Sequence, residues 1–215
     1  MGRLDVLVGG LSQPSKMPGF AYGLPAKACI IGAIPRKKIG SVCSKCYALK
    51  GMYVFPCVQK AQYRRLAIVQ FDVREWANGM AKIIHFKYRN KVGPAARVFR
   101  WHDSGDLQSV EHLAAIVEIA RVLPDIRFWL PTRESIMVQS YLRDNPQGFP
   151  RNLVVRLSVP MIGQTGFARS LDGIVFSTVG SGKGYLCPAR QQNNNCQDCR
   201  ACWDKSVKTV DYPLH

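Results

Sequence analysis

The sequence predicts an α/β protein: a parallel sheet with crossover helices, shaped as a partial or compressed TIM-like barrel. Irregular cysteine-rich N- and C-terminal segments flank it. Three observations carry this prediction. From residue 96 onward, short runs rich in Val, Phe and Trp alternate with helical patterns, as parallel strands joined by right-handed crossovers do. Four or five strands fit the alternation, so a complete eight-stranded barrel of about 250 residues does not. The two ends show little periodicity of either kind, yet they hold all eight cysteines.

The 215 residues suit a single domain. Its parts are a loop-rich metal-binding segment over 1–60, an α/β core over 61–180 and a C-terminal cysteine cluster over 181–215. Gly, Pro, Ser and Lys dominate the first part, where a bound metal would supply order that a poor apolar content cannot. Residues 58–90 space their apolar side chains by three and four, which predicts helix. "ARVFRWHD" is a strand, and "SVEHLAAIVEIARVL" is an amphipathic helix that stops before Pro124. "IRFWLPT" is a second strand ended by Pro131, and "ESIMVQSYLRDN" a second helix. "NLVVRLSV" and "GIVFSTVG" complete the strand set.

Charge narrows the class of partner. Thirty Lys and Arg against fourteen Asp and Glu give a net +16. That excess attracts polyanions. The clusters "PRKKIG", "KAQYRRLAIVQ" and "HFKYRNKVG" interleave cations with aromatics, the pairing that holds phosphates and stacks on bases. DNA is the expected partner. No run of eighteen apolar residues occurs, so no membrane partner is expected. "MGRLDVLVGGLSQPSK" lacks the apolar core and cleavage site of a signal peptide, and Val6 stands where a myristoylation motif needs Ser or Thr. These readings place the protein in the cytoplasm; they leave its oligomeric state open.

Cysteines in that compartment point to metal rather than disulfides. Cys196-x2-Cys199-x2-Cys202, with Cys187 upstream, supplies four thiolates for tetrahedral zinc. The same run fits part of an iron–sulfur pattern, so a [4Fe-4S] cluster is the alternative cofactor. Cys29, Cys43, Cys46 and Cys57 form a looser second group around one CxxC. Cys29, Cys43 and Cys46 are also a degenerate form of the triplet by which radical S-adenosylmethionine enzymes leave one iron open.

In parallel α/β proteins ligands sit at the carboxyl ends of the strands. Those ends read His102-Asp103-Ser104-Gly105-Asp106, then Pro131-Thr132-Arg133-Glu134, then Ser158-Val159-Pro160 and Ser177-Thr178. An Asp or Ser here would cap the helix that starts near Ser109. The first cluster holds more acid, base and donor groups than a cap needs. His85, His112 and His215 are assigned no role.

"DSGDLQS" resembles the "DSGGFQ" motif of tRNA-guanine transglycosylases, with Asp103, Ser104, Gly105 and Gln108 matching. "PTR" at 131–133 and the C-terminal cysteines follow in the family's order. The family's nucleophilic aspartate stands four residues before that Pro, where this chain has Arg127. A DNA-acting branch of the family inserts 7-deazaguanine bases. "YGLPAKAC", "SVCSKCYALKG", "RWHDSGDLQS", "FWLPTRES", "CPAR" and "CRACW" together resemble a family of small phage proteins, which implies the cytoplasm of an infected bacterial host. "CxxCYA" is similar to an element of radical-S-adenosylmethionine-like phage proteins.

The transglycosylase resemblance implies an enzyme that exchanges guanine in DNA for a 7-deazaguanine. A flipped nucleotide would meet one carboxylate attacking the sugar and another moving protons. Asp103 and Asp106 are the expected pair, with Glu134 as reserve nucleophile. His102, Ser104, Gly105 and Gln108 would meet the base, and Arg133 would clamp a phosphate. Two alternatives stand beside it: an iron–sulfur enzyme of the radical S-adenosylmethionine type acting on nucleic acid, and a non-enzymatic metal-stabilised protein that binds nucleic acid.

Overall fold

The computed structural model describes residues 2–166 and 173–214; His215 lies outside them. Each of the four expected strand runs forms a strand, and three short ones join them. In chain order the strands are β1 (Phe20–Tyr22), β2 (Val98–Trp101), β3 (Arg127–Thr132), β4 (Leu153–Ser158), β5 (Val175–Val179), β6 (Tyr185–Leu186) and β7 (Thr209–Tyr212). They form one seven-stranded sheet in the order β1-β2-β3-β4-β5-β7-β6, parallel at every neighbouring pair. From β1 to β5 spatial order follows chain order. The outermost strands, β1 and β6, are not paired with each other.

The helices are α1 (Arg3–Val8), α2 (Pro56–Phe71), α3 (Val73–Tyr88), α4 (Val110–Val122) and α5 (Ser135–Asp144). Local chemistry sets their ends. Pro56 opens α2 with a φ already suited to a first helical position. Asp72 closes α2 and caps α3, its carboxylate accepting from the Arg74 and Glu75 amides at 2.9 Å each. Ser109 Oγ accepts from the His112 amide at 3.1 Å and opens α4. Among the described residues no helix is long and apolar enough to cross a membrane.

The sheet separates two layers. Phe99 and Trp101 of β2, Phe128 and Leu130 of β3, and Leu153, Val155 and Leu157 of β4 pack with Trp76, Met80, Ile83, Leu113 and Ile116 of the helices. Burial of each such side chain contributes roughly 1.5–3 kcal/mol. The alternate residues Val98, Arg100, Trp129 and Arg156 face the other way, where Trp203 packs with Val98 and Trp129, and Arg100 lies over the Trp129 ring. Trp203 meets Trp129 edge-on at 5.2 Å and donates from Nε1 to the Phe99 carbonyl at 2.9 Å. The fully buried Arg156 donates to the carbonyls of Phe176, Ala201, Asp204 and Val207 at 2.8–3.3 Å.

Two expectations change. The terminal segments are not outside the sheet: β1 belongs to the first, and β6 and β7 to the last. Pro131 does not end its strand, which runs on to Thr132. The Arg127 amide donates toward β2, to Arg97 O at 2.9 Å, and alternation turns Trp129 and Pro131 the same way. The β2–β3 ladder stops at Trp129, so the N–H that Pro131 lacks removes no ladder bond.

Candidate functional site

The carboxyl ends of β1 and β2 are locked together by close backbone approach. Leu24 N donates to Ser104 O at 2.8 Å. Gly105 has φ +78, and a Cβ there would stand 2.7 Å from the Leu24 carbonyl oxygen. A Cβ on Gly23 would stand 2.4 Å from Asp103 Oδ1, so the absent side chain leaves the room that this carboxylate occupies.

Asp106 joins β2 to β3. Its Oδ1 accepts from Thr132 Oγ1 at 2.6 Å and from the Leu107 amide at 2.8 Å, and its Oδ2 accepts from the Arg133 amide at 2.9 Å. Burial raises its pKa, and these hydrogen bonds oppose the rise. Glu134 Oε1 accepts from the Ile31 amide at 2.8 Å and so ties the loop after β1 to the end of β3; burial raises its pKa too. Arg133 gives one guanidinium nitrogen to Val159 O at 2.9 Å.

Asp103 belongs to a different set. Its carbonyl accepts from Tyr47 Oη at 2.7 Å and Tyr53 Oη at 3.3 Å, and its Oδ2 accepts from Tyr53 Oη at 3.4 Å. Its Oδ1 is buried and has no partner. Burial raises the Asp103 pKa, against the pull of Arg100 and Arg65. Gln108 turns back on its own loop and donates to Asp106 O at 2.9 Å. His102 adopts φ +54 and is buried against His112, their rings 5.4 Å apart. Neither His102 nitrogen has a partner, nor has Ser104 Oγ. Thus Asp106, Arg133 and Glu134 share one patch, while Asp103 sits with Tyr47, Tyr53 and Arg100.

The loop after β1 lays the first cysteine group over these ends. It runs through short 3-10 turns at Ala26–Ala28, Ile31–Ala33, Pro35–Lys37, Val42–Lys45, Tyr47–Leu49 and Gly51–Val54. Besides the Ile31–Glu134 bond, Val42 N donates to Pro160 O and Ile162 N to Gly40 O, each at 2.9 Å. Cys43 and Cys46 bracket one turn, closed by Cys46 N donating to Cys43 O at 3.3 Å. A Cβ on Gly32 would stand 3.1 Å from Cys29 Cβ and 3.5 Å from Cys43 Sγ, so the missing side chain lets the backbone pack closely between these two cysteines. Burial pushes the Cys29 thiol up to about 12, and Asp106, Cys46 and Cys43 add to the push. Burial also raises Cys43, against Arg133 and Arg36. Cys57 is exposed in the first turn of α2. Cys29, Cys43 and Cys46 are thus neighbours on this loop.

The C-terminal group lies on the sheet face opposite the helices. Cys202 Sγ is 3.0 Å from Tyr212 Oη, and Cys199 Sγ is 3.4 Å from Tyr185 Oη. Cys196 feels the charges of Cys187, Cys199 and Arg100 after the larger effect of burial. Among the described residues no three His, Cys, Asp or Glu side chains converge as metal ligands. In both groups the thiols are neighbours without meeting at ligand distance.

Comparison with known protein families matches residues 7–205 to the gene product 88 family model. The chain belongs to that family. No curated protein and no solved structure matches it. The gene product 88 description states no chemistry, so a functional reading of this family member rests on its geometry. Tyr47, Tyr53 and Gly32 were not singled out from the sequence. Their signal was proximity to Cys43 and Cys46 in "GSVCSKCYALKGMY", since a chain that folds a CxxC turn over a rim brings its neighbours along.

Proposed function

We propose that this protein is an iron–sulfur enzyme of the radical S-adenosylmethionine type that acts on nucleic acid. One observation carries the reading: Cys29, Cys43 and Cys46 are neighbours on the loop that leaves β1 at the carboxyl rim, while Cys57 is exposed on α2. Three thiolates can hold a four-iron cluster with one iron open, and the fourth position is where S-adenosylmethionine would bind. The donor set suits iron: three thiols from one loop, with Gly32 packed between Cys29 and Cys43. Such a cluster supplies one-electron cleavage of S-adenosylmethionine when loaded.

The chain's own residues prepare that rim. Asp106 fixes the end of β2 to that of β3, so it is a positioning residue. Glu134 fixes the turn at Ile31, between Cys29 and Gly32 in the chain. Tyr47 and Tyr53 hold Asp103 through its carbonyl and Oδ2, so this carboxylate helps to fix the loop over the end of β2. The C-terminal cysteines take the structural role, with zinc as the ion that suits four thiolates. There they would tie residues 187–202 to the sheet.

Base exchange finds less support. It needs two carboxylates on one sugar, whereas Asp103 and Asp106 belong to separate hydrogen-bond sets and both Asp106 oxygens are engaged. Arg127, at the position of the transglycosylase nucleophile, begins β3 at the far end from the rim and donates to Pro94 O at 3.1 Å. Anaerobic purification and reconstitution with iron and sulfide test the proposal. The protein should be brown and lose its colour with dithionite. Replacing Cys29, Cys43 or Cys46 by Ser should remove that iron, while Cys57→Ser should keep it. A colourless wild-type protein, or iron retained in all three rim variants, overturns the reading. A 7-deazaguanine found by nucleoside mass spectrometry in DNA exposed to colourless protein would put base exchange in its place.

A further inference from the structure

Between Asp5 and Asp72 the chain contains no acidic residue, yet it carries ten Lys and Arg there. This one segment therefore holds ten of the sixteen net positive charges. Six of the ten, Lys27, Arg36, Lys37, Lys38, Lys45 and Lys50, lie on the loop between β1 and α2. Its 3-10 turns are bonded to the ends of β2, β3 and β4 through Asp103, Glu134 and Pro160. This loop thus carries its cations to the edge of the rim.

The loop is not only charged. Lys38, Lys45 and Lys50 are exposed, and among them stand Ile39 at 94 % exposure, Met52 at 72 % and Phe55 at 53 %. Large apolar side chains left in water gain nothing from a duplex, whose bases are hidden. They do gain from unstacked bases, each of which offers a flat apolar face. Cations alone would fit any polyanion; cations mixed with exposed apolar groups fit a strand whose bases are free.

We propose that the loop between β1 and α2 is a docking surface for single-stranded nucleic acid, which it leads to the rim. This deepens the iron–sulfur reading and rests on it for the chemistry, though not for the binding. Phosphates pair with Lys38, Lys45 and Lys50, and a base stacks on Phe55.

Fluorescence anisotropy with a labelled twenty-nucleotide oligothymidylate, the duplex of equal length and phosphatidylserine vesicles tests it on the full chain. The single strand should bind more tightly than the duplex. The triple variant K38Q/K45Q/K50Q should bind at least tenfold more weakly and flatten the logarithmic salt slope by about 2, since each lost phosphate contact removes about 0.7. Phe55→Ala should lose about fivefold or more with the slope unchanged. The charge-matched variant K82Q/K91Q/R151Q should bind as the wild type does. Equal losses in both triples, tighter binding of duplex, or binding to vesicles without binding to the oligonucleotide overturns the proposal. Iron content measured on the same samples separates the two claims. Binding as described by a protein that assembles no cluster sinks the enzymatic reading alone, and a loaded protein without this binding sinks the docking surface alone.

Discussion

At the residue scale, the rim depends on atoms that are missing. Gly105 combines a left-handed φ with contact against the Leu24 backbone, so Gly105→Ala has to move the end of β1 or β2. Such strained positions cost on the order of 1–3 kcal/mol. We expect Gly105→Ala to lower unfolding free energy by about that amount in urea titrations. His112 makes a second prediction. Burial lowers its pKa from the ordinary value to about 3, and burial also holds the neighbouring His102 well below its own. The unfolded chain takes up these protons first. The stability from keeping both rings neutral is therefore complete above about pH 6.5 and drains away as pH falls toward 3, at up to ~1.4 kcal/mol per pH unit for each ring. Urea midpoints measured from pH 7 to 4 should show this fall, and His112→Gln should make it shallower. A slope unchanged in that variant would mean that other groups cause it.

At the element scale, long periodic segments were legible and short ones were not. The run from β2 to β5 could be read because each strand there has four to six residues and each helix shows its apolar spacing. β1 has three residues and β6 two, too few for any period to register. They are strands because a neighbour's ladder holds them. Pro131 misled because the direction of an N–H is not written in a residue's name. The site was legible to the same degree. Which residues end each strand could be read from the sequence, while the orientation of Gln108 and the engagement of Asp106 depend on hydrogen bonds that composition cannot show. Spacing alone could not separate Cys57 from its three neighbours. Arg156 gives this scale its prediction. Its guanidinium donates to four carbonyls from β5 and residues 201–207. Arg156→Met should leave buried acceptors without donors, at about 1–3 kcal/mol for each one that water cannot reach. We expect a loss of about 3 kcal/mol or more and early proteolytic cleavage after residue 180. Cleavage and stability like those of the wild type would show that the arginine is dispensable.

At the scale of the whole molecule, strand order follows the chain from β1 to β5 and puts the helices on one side. α3 packs on α4 and α4 on α5. The other face of the sheet is left to residues 201–207 and the cysteines near them. If zinc holds those thiols and a cluster the rim cysteines, a thiolate-competing chelator should lower the melting temperature while the brown colour stays. Loss of both together would mean that the two groups do not act separately. There is also a consequence in time. Translation delivers β2 to β5 and their helices well before Trp203. A nascent chain held on the ribosome at residue 180 would carry Trp129 and Arg156 uncovered, with a complete helix layer behind them. Completion of the fold waits for the last stretch to emerge, which makes this interval the one in which a chaperone would find an apolar, positively charged sheet face to hold.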